Sequence, residues 1–312
     1  MPLLPPSTLS PSKVSTFTDC ALQFRYSAID RLPEEPSVAA TRGSLVHLAL
    51  EHLFERPAPE RTAEAAKDDL ARAVARYRTD PEFVGLHLEA HEEEAFLTEA
   101  ARLVERYFEL EDPTTIHPIG LELKLEAEVG GLRVRGIIDR LELDQQGGLV
   151  VTDYKTGRAP RESHQQGRLG GVTFYALLCL ELFGVLPSKI QLLYLGDTTA
   201  ITTEPTEQSI RGLRNKIGAI WQAVERACER EDFRPRTGPL CNFCSFHAYC
   251  PAQGGDPSLV ADIVAEREAA EREAAERLVA HQRAVETAVP GHPGGPGAIE
   301  SPVRMATTVG AG

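Results

Sequence analysis

The stretch from Gly136 to Gly157 constrains the fold of this 312-residue chain more than any other stretch. Apolar and β-branched residues flank the polar, glycine-rich segment 145–148, a pattern typical of two antiparallel strands joined by a tight turn. Asp139 lies in the first predicted strand and Asp153 in the second, where a core-facing strand normally carries an apolar side chain. A carboxylate in such a place needs a cation or hydrogen-bond donors. The hairpin therefore predicts a charged site beside an apolar core.

Lys155 adds a positive charge to this predicted site. Because side chains alternate along a strand, Asp153 and Lys155 project from the same face. Carboxylate oxygens suit Mg²⁺ or Mn²⁺, and a nearby ammonium can orient a water or stabilise a developing phosphorane. Two surface ion pairs, Asp139 with Arg140 and Asp153 with Lys155, would give the same spacing. The spacing by itself leaves both interpretations open.

The pattern Gly-x-x-Asp, strand, turn, Asp-Tyr-Lys-Thr-Gly resembles the RecB-like branch of the PD-(D/E)xK nuclease superfamily. The resemblance implies an α/β fold of the restriction-endonuclease type, with a mixed central sheet flanked by helices. It implies that Asp139 and Asp153 are metal ligands and that the carbonyl of Tyr154 adds a third oxygen. It further implies that Lys155 is the catalytic lysine.

A helix predicted from about Thr41 to Phe54 contains Gly43-x-x-x-His47. A helical histidine is more often a surface group or a satisfied core group than a ligand. The motif nevertheless resembles the first motif of RecB-like nucleases, which implies that His47 joins the two acids on the metal. Imidazole is an acceptable ligand for Mg²⁺ or Mn²⁺, and its protonation would lower activity.

A helix predicted from about Gly170 to Gly184 carries Tyr175, which matches the tyrosine of the Gln-x-x-x-Tyr pair in RecB-like nucleases. That pair lies near the DNA backbone and the active site in the family, whereas an ordinary half-buried aromatic is the alternative for Tyr175. Gly171 occupies the position of the glutamine, so the sequence departs from the pattern. Gln165 or Gln166, in the preceding predicted loop, could substitute only if the start of the helix is rearranged.

Glu122 lies in a predicted strand from Ile119 to Val129, in which apolar and charged residues alternate. The alternation explains Glu122 as an outward-facing residue. RecB-like nucleases often have an acid here, so a second interpretation adds Glu122 to the metal site.

Three cysteines, Cys241, Cys244 and Cys250, follow the spacing Cys-x2-Cys-x5-Cys. In a chain without a secretory signal, this clustering favours metal ligation over a disulfide framework. Cubane clusters take four thiolates, and Cys20 is the candidate for the fourth. Cys20 falls within a helix predicted from Ser10 to about Ile29, with Ser10 as the N-cap.

One cysteine near the N-terminus and three near the C-terminus resemble the iron–sulphur staple of AddB-type helicase–nuclease subunits and of CRISPR-associated RecB-like nucleases. The resemblance implies a structural 4Fe-4S cluster that ties distant chain segments together. Zinc held by Cys241, Cys244 and Cys250, with Cys20 or His247 as the fourth ligand, is the rival. The remaining cysteines, Cys179 and Cys228, are assigned to packing.

The rest of the chain predicts further helices over 62–78, 92–109, 206–229 and 258–287, and strands over 189–195 and 200–203. The predicted nuclease domain covers 9–251 and includes a helical insertion over about 58–112 and a cysteine segment over 233–251. We expect a disordered N-terminus over 1–8, a solvated charged helix over 252–289 and a disordered tail over 290–312.

The formal charge of −13 argues against a protein that coats nucleic acid through general basicity, although a local basic groove remains compatible with it. No apolar run is long enough to cross a bilayer, and a basic signal segment is lacking. We therefore expect a cytoplasmic protein without a membrane partner.

These features together predict a metal-dependent DNA nuclease, and the family resemblance implies an exonuclease that acts on single-stranded DNA or free DNA ends in repair or recombination. One or two divalent ions, held by His47, Asp139 and Asp153, would assist phosphodiester hydrolysis while Lys155 positions or deprotonates water. The sequence contains no Gly-x-x-x-x-Gly-Lys-[Ser/Thr] loop and so no helicase motif, and a helicase or repair protein in trans is a possible partner. The alternatives are a non-catalytic DNA-binding or scaffold subunit and a nuclease that trims DNA for CRISPR adaptation.

Overall fold

A computed structural model describes the backbone of residues 3–288 and the side chains of residues 3–161 and 171–280. The side chains of Gln165 and Gln166 and the predicted tail over 290–312 lie outside these described parts. The chain divides into two units, Met1–Ala261 and Asp262–Gly312. No described helix is both long and apolar enough to span a membrane.

The α-helices of the described chain are α1 (Pro11–Asp19), α2 (Ala21–Phe24), α3 (Val38–Glu55), α4 (Ala63–Tyr77), α5 (Pro81–Val84), α6 (Ala90–Leu110), α7 (Glu162–Phe183), α8 (Glu207–Arg230) and α9 (Leu259–Ala288). The strands are β1 (Pro118–Val129), β2 (Leu132–Leu143), β3 (Leu149–Lys155), β4 (Lys189–Tyr194) and β5 (Thr199–Thr203). A π-helical turn covers Arg25–Ile29, and short 3-10 helices include Pro239–Phe243.

The strands form one mixed sheet in the order β1-β2-β3-β4-β5. Only β3 and β4 run parallel, and α7 connects them, as a parallel pair requires a crossover connection. The predicted hairpin is present as antiparallel β2 and β3, with Arg140 opposite Thr152. An α/β fold with a mixed sheet flanked by helices is confirmed.

Apolar side chains cover both faces of this sheet. One core contains Val151, Leu177 and Ile217 and joins the sheet to α7 and α8. The other core contains Leu50 and Leu103 and joins the sheet to α3, α4 and α6. Helices α4 and α6 belong to the predicted insertion, and α3 precedes it. Since β3 contributes to both cores, its alternate side chains face opposite layers.

The N-terminal helix is shorter than predicted. Ser10 is the N-cap of α1, as expected, and its hydroxyl accepts a hydrogen bond from the Lys13 amide. The helix ends before Cys20, which is extended with φ −157° and ψ 111°. Cys20 therefore lies between two helices and not within one. Its sulphur accepts the backbone N–H of Arg236 at 3.4 Å, a long-range contact that local periodicity does not reveal.

Helix α7 begins earlier than predicted. The sequence favoured a polar loop up to about residue 170, but the helix starts at Glu162 and includes Gln165 and Gln166. Gly167, Gly170 and Gly171 lower the helix propensity of this region by about 1 kcal/mol each, which misled the prediction. Buried residues further along α7 anchor the helix in the sheet core.

In the second unit, the helical residues from Asp262 carry charged pairs at i,i+4 spacing. Arg267 with Glu271, Arg272 with Glu268, and Arg277 with Glu273 are such pairs. Each contributes about 0.2–0.5 kcal/mol at most, as is typical of an exposed charged helix.

Candidate active site

His47 on α3, Glu122 on β1 and Asp139 on β2 bring three donor atoms within 4.8 Å of one another. His47 Nδ1 lies 3.5 Å from Asp139 Oδ2 and 3.8 Å from Glu122 Oε1. Its other ring nitrogen, Nε2, lies 3.0 Å from the carbonyl oxygen of Tyr154. One nitrogen and several oxygens thus converge. We call His47, Glu122, Asp139, Asp153 and Lys155 the acid site.

Gly43 lies one helical turn before His47, so both face the same side of α3. A Cβ at Gly43 would lie 3.4 Å from Thr156 Oγ1, just beyond the end of β3, which is an ordinary van der Waals contact. The side of α3 that carries His47 therefore faces the end of the strand that carries Asp153.

Glu122, for which the sequence left both an outward-facing and a metal-site interpretation open, lies beside His47 and Asp139. The neighbouring pairs Leu121 with Arg140 and Leu123 with Ile138 place it opposite Asp139. Its backbone has φ +43°, an uncommon conformation for a residue other than glycine. Such strain costs on the order of 1–3 kcal/mol and is characteristic of functional sites. The alternation of β1 gave no sign of it; only the family resemblance pointed to this acid.

Asp153 and Lys155 project from the same face of β3, as the strand period predicted. Lys155 Nζ forms an ion pair with Asp153 Oδ2, and the Tyr175 hydroxyl donates to Asp153 Oδ1 at 3.4 Å. Asp153 is buried, and a carboxylate has about four lone-pair sites, so these two contacts leave acceptor sites that a cation would use.

Gly136, the first residue of Gly-x-x-Asp, positions Tyr175. A Cβ there would come within 2.9 Å of Leu178 Cδ1 and 3.1 Å of Tyr175 Cε1. The glycine therefore allows α7 to pack directly on β2. The expectation that Tyr175 lies near the acids agrees with this arrangement, whereas Gly171 supplies no side chain beside it.

Tyr154 contacts two members of the acid site through its backbone. Its N–H donates to Asp139 Oδ2 at 2.7 Å, and its carbonyl faces His47. Its hydroxyl accepts a hydrogen bond of 2.7 Å from Arg140 Nη1. Arg140 is fully buried and pairs with Glu111 at 2.8 Å and Glu142 at 2.6 Å. The buried network around Arg140 thus holds Tyr154 in place next to Asp139 and Asp153. The sequence had suggested Arg140 only as a surface partner of Asp139.

Crowded carboxylates shift the pKa values in the acid site. Burial alone would lower the pKa of His47, but the nearby Asp139, Glu122 and Asp153 raise it to about 9. Burial raises the pKa of Asp139 to about 7, with His47 opposing and Asp153 adding to the shift. Three acids therefore share one partly buried space with too little positive charge. A divalent cation would offset this excess.

The Lys155 ammonium and the Tyr175 hydroxyl stay protonated. Burial lowers the pKa of Lys155, but the Asp153 carboxylate outweighs burial and the net shift is upward. Burial and the charges of Asp153 and Asp139 raise the pKa of Tyr175. Both groups are therefore donors near neutral pH.

A groove of about 980 Å³ leads to these residues. Its wall includes Ser12, Ser15 and Thr16 of α1, Ser44 of α3 and Arg158 after β3, besides the acid-site residues His47, Asp153 and Lys155. Hydroxyl groups and cations of this kind bind phosphate oxygens.

The four cysteines of the predicted cluster line a second cavity, of about 360 Å³. We call it the cysteine cavity. Burial raises the pKa of Cys244, the Phe246 amide opposes this, and the other three thiols, Cys20, Cys250 and Cys241, raise it further. Among the described residues, no three of the four sulphur atoms lie within 4.8 Å of one another.

The cysteine cavity joins segments far apart in the sequence. Tyr26 donates from its hydroxyl to the carbonyl of Tyr249 at 2.9 Å, and its ring packs against Phe246 at 5.7 Å. His247, the alternative zinc ligand, lies against the carbonyl of Cys241 through Nε2. Cys179 and Cys228 do not line the cysteine cavity. Both are buried, and burial raises the pKa of Cys179 to about 12 and that of Cys228 to about 11.

The sequence profile of the PD-(D/E)XK nuclease superfamily matches residues 8–251, a span that contains the acid site and all four cysteines of the cavity. The chain belongs to this superfamily. Its members act on nucleic acid, so the acid site is the candidate nuclease centre.

Two phage proteins are similar in sequence to this superfamily member. The Gene 69 protein of Mycobacterium phage D29 is 26% identical over 264 residues, which covers 78% of this chain and 96% of the phage protein. The Gene 69 protein of Mycobacterium phage L5 is 31% identical over 134 residues, or 42% of this chain and 44% of that protein.

A crystal structure of a "Putative exonuclease" from Eubacterium rectale has a similar fold, with a TM-score of 0.53 and 12% identity. The similarity covers 76% of this chain and 87% of that one. It supports the arrangement of sheet and helices, and at this identity it concerns the fold alone.

Proposed function

We propose that this superfamily member is a divalent-metal-dependent deoxyribonuclease whose centre is the acid site. The observation that carries the proposal is the convergence of His47, Glu122 and Asp139 within 4.8 Å, beside Asp153 and Lys155. A structural ion-pair cluster would balance its charges internally. Here the acids remain in excess, as the raised pKa values of His47 and Asp139 indicate.

His47, Glu122, Asp139, Asp153 and the carbonyl of Tyr154 are the groups that would hold Mg²⁺ or Mn²⁺. Oxygen donors with one imidazole suit these ions, and the buried Asp153 carboxylate adds negative charge beside Lys155. One or two such ions would supply electrostatic stabilisation of the phosphate charge during hydrolysis.

Lys155 and Tyr175 provide proton donors next to the reacting phosphate. The raised pKa of Lys155 keeps it as an ammonium, which favours positioning water and stabilising charge over removing a proton. The Tyr175 hydroxyl holds Asp153 from the side opposite Lys155. Both roles are proposed from position and charge.

The proposed substrate is DNA that is single-stranded or has a free end, cut exonucleolytically during repair or recombination. The resemblance to RecB-like nucleases supports this choice, and the groove beside the acid site offers serine and threonine hydroxyls to phosphates. A helicase or repair partner acting in trans would supply the single strand.

We further propose that Cys20, Cys241, Cys244 and Cys250 hold a structural 4Fe-4S cluster. A tetrahedral zinc ion with Zn–S bonds of about 2.3 Å would place its sulphurs about 3.8 Å apart. The four thiols line one cavity of about 360 Å³, and the resemblance to iron–sulphur nucleases favours the cluster over zinc. When bound, it would tie the start of the domain to its end.

The nuclease proposal is tested with purified protein, Mn²⁺ and end-labelled single-stranded and duplex oligonucleotides. We expect Asp153→Ala and Lys155→Ala to reduce cleavage by on the order of 10²–10³-fold, as the loss of a charge-stabilising group typically does. Lys124→Ala, an exposed lysine on β1, is the matched control and should cleave normally. Full activity in Asp153→Ala would refute the assignment.

The same assay addresses Glu122. Glu122→Gln removes one charge from the acid site and should raise the Mn²⁺ concentration needed for half-maximal cleavage. Glu128→Gln, an exposed glutamate on the same strand, should not change it. Equal metal requirements in the two variants would place Glu122 outside the metal shell.

Cluster identity is tested by anaerobic purification, an absorption spectrum and iron, sulphide and zinc analysis. A brown protein with iron and sulphide is expected, and Cys244→Ser should lose both while Cys228→Ala keeps them. A colourless protein with one zinc ion would establish the rival.

A non-catalytic DNA-binding subunit is the second candidate, favoured by one observation. Gly171 leaves the usual glutamine position beside Tyr175 without a side chain. Binding of DNA without Mn²⁺-dependent cleavage by the wild-type protein would support this candidate.

A further inference from the structure

We propose that single-stranded DNA leaving the groove continues along α1 and stacks a base on Phe243. This surface lies outside the acid site and rests on the proposed nuclease function, because it assumes a DNA strand in the groove. It names a second point of contact for the substrate and the residue that makes it.

Phe243 is the most exposed large apolar side chain of the described residues, at 86%. Leu240, in the same 3-10 helix, is 60% exposed. Single exposed apolar residues are common, but two on one short segment form a small apolar patch. An aromatic ring presented to water in this way is typical of stacking platforms in proteins that bind single strands.

Backbone hydrogen bonds define the turn that carries Phe243. The Cys241 amide donates to the Gly238 carbonyl, and the Cys244 amide donates to the Cys241 carbonyl, both at 3.0 Å. Cys241 and Cys244, on either side of Phe243 in the sequence, line the cysteine cavity, whereas Phe243 does not. Phe243 therefore lies on the outer side of this turn.

Helix α1 connects this segment with the groove. Ser12, Ser15 and Thr16 line the groove, whereas Asp19 and the following Cys20 line the cysteine cavity. With a rise of 1.5 Å per residue, Ser12 and Asp19 are separated by about 10 Å along the helix. That distance corresponds to about three nucleotides at the stacked spacing of ~3.4 Å.

Unpaired cations flank the same path. Arg158 lines the groove, and Arg236 lies beside α1, where its Nη1 donates to the Thr18 carbonyl at 3.3 Å. Both are exposed, and in the described part of the chain neither forms an ion pair with a carboxylate. Asp19 is the acid of α1 and accepts a hydrogen bond from Ser15 at 3.1 Å. The two arginines outnumber Asp19, and their positive charge suits the negatively charged phosphate backbone of DNA.

A single strand fits this surface better than a duplex does. The proposed contact uses the flat face of a base, which is accessible only when that base is unstacked from its neighbours. Stacking of this kind tolerates any base, as a nuclease of general specificity requires.

The test measures fluorescence polarisation of labelled single-stranded oligonucleotides in EDTA, so that binding is separated from cleavage. One oligonucleotide of about 4 nucleotides fills the groove alone, and one of about 12 also reaches Phe243. Phe243→Ala should weaken binding of the longer strand by about 5- to 150-fold, the range expected from losing one stacked base. Binding of the shorter strand should not change.

Two further variants sharpen the result. Phe243→Trp should bind the longer strand at least as tightly as the wild-type protein does. Phe183→Ala, which removes a 46% exposed phenylalanine at the end of α7, should have no effect. An unchanged absorption spectrum of Phe243→Ala will establish that the cysteine segment is intact.

Equal binding of wild-type protein and Phe243→Ala at both lengths would overturn the proposal and leave a protein partner as the occupant of the patch. Equal losses at both lengths would overturn it as well, because Phe243 would then act within the groove. A third outcome separates the two proposals. If the wild-type protein fails to cleave in Mn²⁺ but Phe243→Ala still weakens binding of the longer strand alone, the surface is supported and only the nuclease function is refuted.

Discussion

The acid site and the cysteine cavity differ in what holds their ligands in place. The acids project from adjacent strands of one hydrogen-bonded sheet, and a neighbouring helix adds His47. The cysteines lie on loops and 3-10 turns whose two halves are more than two hundred residues apart in sequence. The sheet therefore prearranges the acids at a cost in charge repulsion, whereas the cysteine cavity would gain stability from the proposed cluster that joins the thiols. Removing ligands should thus have opposite effects at the two places.

The largest effect on stability is expected from the cysteines. With the proposed cluster bound, Cys244→Ser should lower the free energy of unfolding by about 5 kcal/mol, the value that the chain-entropy model gives for a cross-link closing a loop of more than roughly two hundred residues. Urea unfolding followed by circular dichroism measures the loss. Cys228→Ala, outside the cavity, should lose less, and equal losses would remove the contrast with the acid site.

The next largest effect is expected beneath the acid site, at Arg140. Arg140→Ala should destabilise the fold by about 3–5 kcal/mol, because it leaves the carboxylates of Glu111 and Glu142 buried without their partner. Arg133→Ala, whose exposed side chain pairs with Glu126, should cost at most about 1 kcal/mol. Thermal unfolding of the two variants provides the comparison.

Tyr154→Phe tests the same network more gently. It removes only the hydroxyl that accepts from Arg140, and should weaken Mn²⁺ binding while the fold is retained. Calorimetric titration with Mn²⁺ measures this. Unchanged affinity would mean that the backbone of Tyr154 is held in place without Arg140.

Metal binding to the acid site should depend on pH. Because the pKa of His47 is raised to about 9, Mn²⁺ must displace a proton from the imidazole at lower pH. Between about pH 7, where Asp139 titrates, and about pH 9, the affinity should therefore rise by up to about tenfold per pH unit, equivalent to about 1.4 kcal/mol per unit. Calorimetry in buffers of different ionisation enthalpy would detect the released proton; constant affinity across this range would contradict the assignment of His47 as a ligand.

The smallest effect is a gain in stability. The folded state holds the Asp139 proton more tightly than the unfolded chain, with a pKa of about 7 against the ordinary 3.8. That contribution to stability is complete below 3.8 and is lost as pH rises through about 7. In EDTA above pH ~7, Asp139→Asn should therefore stabilise the fold by about 0.5–2 kcal/mol, as removal of functional strain commonly does.

Glu128→Gln serves as the control for this gain and should stay within about 0.5 kcal/mol of the wild-type protein, since the residue is exposed. If Asp139→Asn proved destabilising in EDTA, the acid site would be a balanced ion-pair cluster, and its difference from the cysteine cavity would disappear.

The sequence predicted most of the sheet and four members of the acid site. Alternation and the glycine-rich turn located β2 and β3, and the strand period placed Asp153 with Lys155. It failed where a distant contact decided the local structure. Cys20 interrupts a periodic helix, and Glu122 adopts a positive φ beside Asp139. Arg140 looked like a surface cation and is the most deeply buried charge beneath the site.

By itself, the sequence determined the chemistry of this protein: a small set of acids, a lysine and a histidine in spaced motifs, and cysteines in a ligand spacing. These signals are local, because strand and helix periods fix which neighbours share a face. Only the tertiary structure decided which groups meet, through packing such as the close approach of α7 to β2 at Gly136. Local patterns cannot report such contacts, since the energy that selects them comes from packing between elements distant in the chain.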